Sequence, residues 1–436
     1  MNKDYTTRFQ EKDISVGIIG LGYVGLPLAV AFASAECRVI GLDCDNEKVT
    51  MLMDKRESYL LHIANETIEQ MVNNGYFRAT TDLSEVEEVD VIILCLPTPL
   101  NKYHEPDLSY ITDTLQEIAP FLKKGQLLSL ESTTYPGTTE ELIQPIIEAK
   151  GFRVGEDFFL VYSPEREDPG NEHFTTATIP KVIGGVTTTC LEMGKRIYGR
   201  IIEKLVPVST VKAAELTKLL ENIYRAVNIG LVNEMKIVAD RRGIDIWEVI
   251  EAAATKPFGF NAFYPGPGWG GHCIPIDPFY LTWKAKEYGV NTDFIELAGR
   301  VNTQMPAWVV EKVTDALNQH HKSVNGSKIL ILGLAYKKNI SDTRESPSVK
   351  IMELLRQKGA EIAYADPYVK SFPVMRDHQF DLKSTELTPN KLAEMDCVVL
   401  CTDHDCFDYE MILEHACLLV DTRGIYRKRN AIVMNA

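Results

Sequence analysis

The sequence predicts an α/β protein: two doubly wound, parallel-sheet domains joined by a helical central domain with one long helix. Three observations predict it. From residue 14 to residue 185, short β-branched runs alternate with stretches of helical periodicity. From 211 to 243, apolar residues recur at helical spacing, interrupted only by Gly230. At "GSKILILGLAYKKN" (326–339) the strand–loop–helix pattern begins again. Alternation of this kind builds parallel sheets with helices on both faces.

In order along the chain, "ISVGIIGLG" (14–22) is an apolar run ending in glycine, as a buried parallel strand reads. "LPLAVAFASAEC" (26–37) follows as a helix, with Pro27 tolerated in its first turn, where the missing N–H is an orphan anyway. "RVIGLDCD" (38–45), "VDVIILCLPTP" (89–99), "GQLLSLEST" (125–133), "FFLVYSPE" (158–165) and "PKVIGG" (180–185) read as further strands. The long helix stops at Gly243, and "DIWEVIEAAAT" (245–255) and "DPFYLTWKAKEYG" (277–289) are helical. "AEIAYADP" (360–367), "DCVVLCTDH" (396–404) and "CLLVDTRG" (417–424) complete a smaller α/β domain. The expected domains are 1–207, 208–320 and 321–436.

Composition narrows the function classes. A formal net charge of −15 over 436 residues makes a poor general binder of nucleic acid or anionic membrane, so neither is an expected partner. Nine cysteines without paired spacing read as reduced thiols, and "MNKDYTTRFQEKDI" lacks the apolar stretch of a signal peptide. No run of 18 apolar residues occurs. The expected location is the cytoplasm.

"GLGYVG" places Gly20, Gly22 and Gly25 in the G-x-G-x-x-G spacing, between a predicted strand and a predicted helix. The first glycine serves the tight turn, the second lets a pyrophosphate approach, and the third lets helix pack on strand. Tyr23 and Val24 fall inside this turn. Asp43 ends the next strand, placed to accept from an adenosine ribose and to repel a 2′-phosphate, so the expected cofactor is NAD. The first domain is thus Rossmann-like. "GLAYKK" in the last domain starts the same way without the glycine spacing. There Lys337, Lys338 and Arg344, with Arg423 at a later strand end, suit a phosphorylated ligand at the edge where open sheets bind them.

The second chemistry lies in "GPGWGGHCIPID" (266–277), where five glycines and prolines precede Cys273 and Asp277 follows it by four. Glycines leave a bound molecule free to approach the backbone. His272 is adjacent in sequence, and neighbouring side chains diverge, so it is a poor base for the thiol. Lys218 and Asn222 stand four apart and share one face of the long helix. Glu165 falls just past a predicted strand end.

"GLGYVGLP", "PTPLNK", "ESTTYPGTT", "YSPEREDPGN", "AAELTKLLENI", "NEMKIVADRRGID", "GPGWGGHCIPIDPFYLTWKA" and "AYKKNISDTRESPS" together resemble the UDP-glucose/GDP-mannose dehydrogenase family over essentially the whole chain. "YSPEREDPGN" and "TKPFGF…YPGPGWGGHCIPIDPFYLTWKA" are more narrowly similar to the bacterial UDP-N-acetylglucosamine 6-dehydrogenases of surface-polysaccharide pathways. The resemblance implies oxidation of a nucleotide sugar's C6 alcohol to a carboxylate with two NAD⁺. Cys273 would capture the aldehyde as a thiohemiacetal and then carry a thioester. Lys218 and Asn222 would stabilise oxyanions. Asp277 would hold a water and assist proton removal, with Thr134 positioning that water, and Glu165 would be the base of thioester hydrolysis. Lys338 and Arg423 match nucleotide-binding positions. Thr98, Arg344 and Lys48 match positions near the cofactor. Phe263 and Tyr264 would cover the sugar, and Gly271 would line it. A homodimer or higher homo-oligomer built on the long helix is implied too.

Two departures from UDP-glucose enzymes stand out. Pro169 replaces a glutamate four residues after Glu165, and Pro257, beside Lys256, replaces an arginine sixteen residues before Cys273. These losses favour a 2-acetamido sugar over UDP-glucose. Rival readings are a dehydrogenase of UDP-N-acetylmannosamine, UDP-glucose or GDP-mannose, a non-catalytic nucleotide-sugar sensor, and a metal site at Cys401, His404 and Cys406. The last has no zinc-ribbon spacing, so no metal is expected.

Overall fold

The structure is a computed structural model that describes residues 5–11, 13–60, 63–101, 103, 105–166, 175–271, 274–375, 378–427 and 432–436. The chain forms two compact units, Met1–Glu221 with Trp283–Gly289, and Asn222–Thr282 with Val290–Ala436.

In the first unit, β1 (Ser15–Ile19), α1 (Gly25–Ser34), β2 (Arg38–Leu42), α2 (Asn46–Thr50), α3 (Asn65–Asn73) and β3 (Phe77–Thr80) run in order. They are followed by β4 (Val91–Leu94), α4 (Ser109–Ile118), β5 (Leu127–Leu130), α5 (Gln144–Glu148), β6 (Phe159–Tyr162), β7 (Lys181–Gly185), α6 (Thr188–Tyr198) and β8 (Leu205–Pro207). The sheet order is β3-β2-β1-β4-β5-β6-β7-β8. Both faces are covered, as the strand sequences require. Val16 and Ile18 enter one core with Phe32 and Val161, while Ile19 enters another with Leu115 and Leu128.

In the first unit the strands expected from sequence are present, with two additions and one reversal. β3 and β8 are short and only partly buried, so neither carries a strong apolar run. β7 runs antiparallel to β6, and β7 and β8 are parallel to each other. The sheet is therefore mixed at one edge.

α7 (Val211–Arg241) is the long helix, and from Asn222 onward it belongs to the second unit. It ends in a Schellman motif: Ile244 N–H donates to Ala239 C=O, Gly243 N–H to Asp240 C=O, and Gly243 takes φ +68°. α8 (Ile246–Ala254), α9 (Asp277–Ala285) and α10 (Asp293–Gln319) follow. Where α7 crosses α10, a Cβ on Gly230 would lie 3.3 Å from Ala298 Cα and from Asn302 Nδ2, so glycine sets the close approach.

The rest of the second unit contains β9 (Lys328–Leu332), α11 (Pro347–Gln357), β10 (Glu361–Ala365), α12 (Pro389–Ala393), β11 (Cys397–Leu400), α13 (Tyr409–His415), β12 (Leu419–Asp421) and β13 (Val433–Asn435). Its sheet, in order β10-β9-β11-β12-β13, is parallel throughout. Ile329 and Ile331 face one core and Leu330 and Leu332 the other. Both sheets reverse strand order beside their first strand, the place where doubly wound folds bind ligands. No helix among the described residues is long and apolar enough to cross a membrane.

Candidate active site

In the first unit, each glycine of the β1–α1 turn has its own reason. Gly20 takes φ +93°, and a Cβ there would lie 2.4 Å from Cys95 C=O. A Cβ on Gly25 would lie 1.9 Å from Gly20 C=O, so helix and turn close on each other. Gly22 has nothing within 4 Å of its Cβ position, which is the opening a pyrophosphate needs beside the α1 N-terminus. Tyr23 is exposed and Val24 is the N-cap of α1. Asp43 follows β2 and accepts from Leu21 N–H (2.8 Å) on Oδ2 and Asp45 N–H (2.9 Å) on Oδ1. Lys48 Nζ stands 3.3 Å from its Oδ2. Each carboxylate oxygen has two acceptor lobes, so the carboxylate can still take a ribose hydroxyl. The residues present fit NAD.

Thr98, buried, follows β4, and Thr134 follows β5. Thr134 Oγ1 is buried and has no hydrogen-bond partner among the described residues. Its loop is tied at one end by Ser132 Oγ, which donates to Leu96 C=O (2.8 Å) and accepts from Leu96 N–H (3.0 Å). Glu165 follows β6, and its C=O accepts from Lys218 Nζ at 2.5 Å. Beneath the β5 end, Lys181 Nζ meets Glu131 Oε2 at 2.7 Å inside the core. Tyr198 OH donates to the same carboxylate and lies 2.7 Å from Ser129 Oγ. Burial, with the nearby Glu131 carboxylate, pushes the Cys95 thiol well above its usual range.

In the second unit, Asn222 Nδ2 donates to Asp277 Oδ2 at 2.5 Å, and both residues are buried. Asp277 opens α9, where the helix dipole favours a carboxylate. Cys273 and His272 lie outside the described residues. Gly271, at φ +85°, donates its N–H to Arg344 C=O (2.9 Å), and a Cβ on it would sit 2.9 Å from the Tyr336 ring. Phe263 packs edge-on against Tyr224 at 5.7 Å, and Tyr264 is exposed.

Three of the cations expected to hold a phosphorylated ligand have a carboxylate nearby. Lys338 pairs with Asp405 (3.0 Å) and Arg344 with Asp342 (2.6 Å). Arg423 Nε donates to Cys401 C=O (2.7 Å), with Asp403 3.7 Å away. The Arg423 guanidinium also crowds Gly266, whose Cβ position is 2.9 Å from its Nη1.

The two sheets share one device and use it differently. Gly333 N–H donates to Ala365 C=O and Leu334 N–H to Asp366 Oδ2 (2.7 Å), just as Gly20 N–H donates to Leu42 C=O and Leu21 N–H to Asp43. Asp366, however, also accepts from Ala335, Tyr368 and Val369 N–H and faces His404 Nε2 at 3.1 Å. Its carboxylate is used up inside the protein. His404 Nδ1 in turn accepts from Asn339 N–H at 2.9 Å, so both ring nitrogens of the residue considered as a metal ligand have partners here.

Sequence reasoning missed two buried charges. Lys236 on α7 donates to Gly266 C=O (3.0 Å) and to the main-chain oxygen of Ala436 (2.8 Å), and burial pushes its amine down to about 7. Glu215 on α7 is buried beside Gly137 and Thr139, and burial raises its carboxyl to about 7. A charged residue among the apolar positions of a helix was the available signal for both.

The glycine turn, the acidic end of β2 and the two doubly wound sheets define a dinucleotide-dependent, nucleotide-binding enzyme. The chain matches the UDP-glucose/GDP-mannose dehydrogenase family in its NAD binding domain (residues 14–202), its central domain (212–304) and its UDP binding domain (330–428). A UDP-N-acetyl-D-glucosamine 6-dehydrogenase from Pseudomonas aeruginosa is 37% identical over 84% of this chain and 86% of its own length. A UDP-N-acetyl-D-mannosamine dehydrogenase from Salmonella typhimurium is 34% identical over 95% of this chain and 99% of its own. The solved UDP-D-ManNAc dehydrogenase of Pyrococcus horikoshii superposes with a TM-score of 0.87 at 30% identity, covering 97% of this chain and 99% of that one. The chain belongs to the UDP-glucose/GDP-mannose dehydrogenase family: it is an NAD-dependent nucleotide-sugar dehydrogenase with a UDP-binding domain.

Proposed function

We propose that the substrate is UDP-N-acetylglucosamine and that its C6 hydroxyl is oxidised in two steps to the carboxylate of UDP-N-acetylglucosaminuronate, for surface-polysaccharide synthesis. The observation that carries the site reading is the buried Asn222–Asp277 hydrogen bond. It puts an amide donor and a carboxylate side by side, four residues beyond Cys273 in sequence. The choice of sugar is supported by the P. aeruginosa relative and by Pro169 and Pro257, which stand where UDP-glucose enzymes carry Glu and Arg. The mannosamine relatives keep the epimer as the second reading.

NAD, when bound, accepts a hydride at each oxidation. Asp277 takes the proton of the C6 hydroxyl through a water that Thr134 helps to hold. The Cys273 thiolate then adds to the aldehyde carbon, giving a thiohemiacetal that keeps the aldehyde on the enzyme. Lys218 and Asn222 stabilise the alkoxide oxygen as it forms. After the second oxidation Glu165 removes a proton from the water that attacks the thioester, and the thiolate leaves with the acid formed. Lys338 and Arg423 hold the UDP phosphates, Gly271, Phe263 and Tyr264 surround the sugar, and Thr98, Arg344, Lys48, Tyr23 and Val24 border the cofactor.

The division into domains 1–207, 208–320 and 321–436 belongs to the same reading, as does self-association. Leu216, Leu220, Tyr224, Leu231, Met235 and Val238 form an exposed apolar stripe along α7. A stripe of this kind supports a homodimer built on that helix. Leu220→Asp should then lower the mass seen in sedimentation.

Purified protein incubated with NAD⁺ and each of UDP-N-acetylglucosamine, UDP-N-acetylmannosamine, UDP-glucose and GDP-mannose tests the sugar. The expected result is two NADH per acid formed with the first. Oxidation of the mannosamine epimer alone would reassign the substrate. Unchanged NADH production in Cys273→Ser would remove the covalent route, and no turnover with any sugar would favour a sensor.

A further inference from the structure

Glu215 is wholly buried, and no step above uses it. Its carboxylate reaches back 76 residues and more in sequence to the loop after β5. Oε2 accepts from Gly137 N–H at 2.5 Å, and Oε1 accepts from Thr139 N–H at 2.9 Å and from Thr139 Oγ1 at 2.7 Å. Three donors on one carboxylate form a strong, directional grip. The gripped turn is already closed on itself, with Thr138 N–H and Oγ1 both donating to Tyr135 C=O. Gly137 sits at φ +112°, a conformation that leaves its N–H free to point at a partner.

Thr134 is therefore suspended between two anchors. Ser132 fixes the upstream side to Leu96. Glu215 fixes the downstream side to α7, three residues before Lys218 and seven before Asn222, all on one face of that helix. We propose that Glu215 is a positioning residue for the reaction: it clamps the Tyr135–Thr139 turn, and with it Thr134, to the helix that carries Lys218 and Asn222. This inference rests on the proposed roles of Thr134, Lys218 and Asn222.

The clamp is strongest with an ionised carboxylate, because all three groups that face it are donors and protonation weakens the acceptor. The charges around it are Glu140, which pairs with Lys212, Glu141, which pairs with Lys284, and Lys218 on its own helix. Glu140 adds to the upward push on Glu215. The clamp therefore tightens as pH rises through the neutral range.

Glu215→Gln tests this, because the amide can still accept from Thr139 but meets Gly137 N–H with its own donor. Expected is a fall in kcat of about tenfold or more with KM for the sugar and for NAD⁺ within about twofold, since a small misplacement acts on the transition state. The melting temperature at pH 8 should stay within about 3 °C of wild type, because a buried charge is removed along with the lost bond. The acid limb of the wild-type kcat profile should be displaced or lost in the variant. Amide exchange at Gly137 and Thr139 should quicken by about tenfold or more. Unchanged kcat and exchange in a folded Glu215→Gln protein would overturn the proposal. If that variant does not fold, Thr139→Val removes one donor only, and a normal kcat there overturns it equally. A wild-type protein inactive on every nucleotide sugar would strike the functional reading, while the exchange rates would still decide whether Glu215 holds the turn.

Discussion

Asn222 Nδ2 lies 2.5 Å from Asp277 Oδ2, joining residues 55 apart in sequence, one on α7 and one opening α9. Neither side chain has appreciable contact with solvent. An amide donor on a buried carboxylate fixes the orientation of that carboxylate.

Asp277→Asn should lower kcat by about 10² to 10⁴ while leaving nucleotide-sugar binding within a few-fold, the usual size of a lost general base. Single-turnover NADH formation, with substrate affinity measured separately by calorimetry, reads both. Equal losses in affinity and rate would assign Asp277 to binding instead.

Lys236 predicts a pH dependence of stability. Burial, with Arg423 adding to the effect, pushes its folded pKa down to about 7, whereas a lysine in the unfolded chain titrates at about 10.4. Between those values the unfolded chain holds a proton that the folded chain does not. Stability therefore rises with pH across that window and is lost as pH falls toward 7. Lys236→Met should remove that slope. Melting curves at pH 7.5 and 9.5 decide it: if wild type and variant shift in parallel, Lys236 is not the source.

Lys181 and Glu131 form an ion pair inside the first core, both side chains nearly without exposure. Removing one partner strands the other charge, so Lys181→Met should cost about 3–5 kcal/mol. Lys181→Met with Glu131→Gln should recover much of that loss. Denaturant midpoints of the two single variants and the double variant form the cycle, and strict additivity would mean the pair is not coupled.

Gly25→Ala and Gly22→Ala should part company. The first puts a Cβ 1.9 Å from Gly20 C=O, so it must displace α1 or the turn. It should lower both the melting temperature and NAD⁺ affinity. The second meets nothing within 4 Å, so stability should hold while NAD⁺ affinity falls through loss of the opening. Fluorescence titration with NADH beside thermal melts separates them, and equal destabilisation by both would contradict the roles given to these glycines.

Much of the architecture was legible because it is written in local pattern. Period-two and continuous apolar runs mark β1, β2, β4, β5 and β9, and a 3.6-residue rhythm bounded by Gly243 marks α7. The short edge strands β3, β8 and β13 were not legible, since three or four partly buried residues carry no periodicity to read. The reversal of β7 against β6 was not legible either, because strand composition does not fix strand direction.

By itself the sequence determined the cofactor turn, because glycine spacing, the following helix and the acid closing β2 are all local demands of one ligand. It also determined which residue types were available as thiol, cation and carboxylate. Only tertiary structure decided their partners: Lys218 with the Glu165 carbonyl, Asn222 with Asp277, Glu215 with Gly137 and Thr139, and Asp366 turned inward on His404 where Asp43 keeps acceptor capacity. The physical reason is that secondary structure follows from neighbours three or four residues away. A hydrogen bond across 50 residues or more exists only once the order of strands and helices has brought two loops within 3 Å.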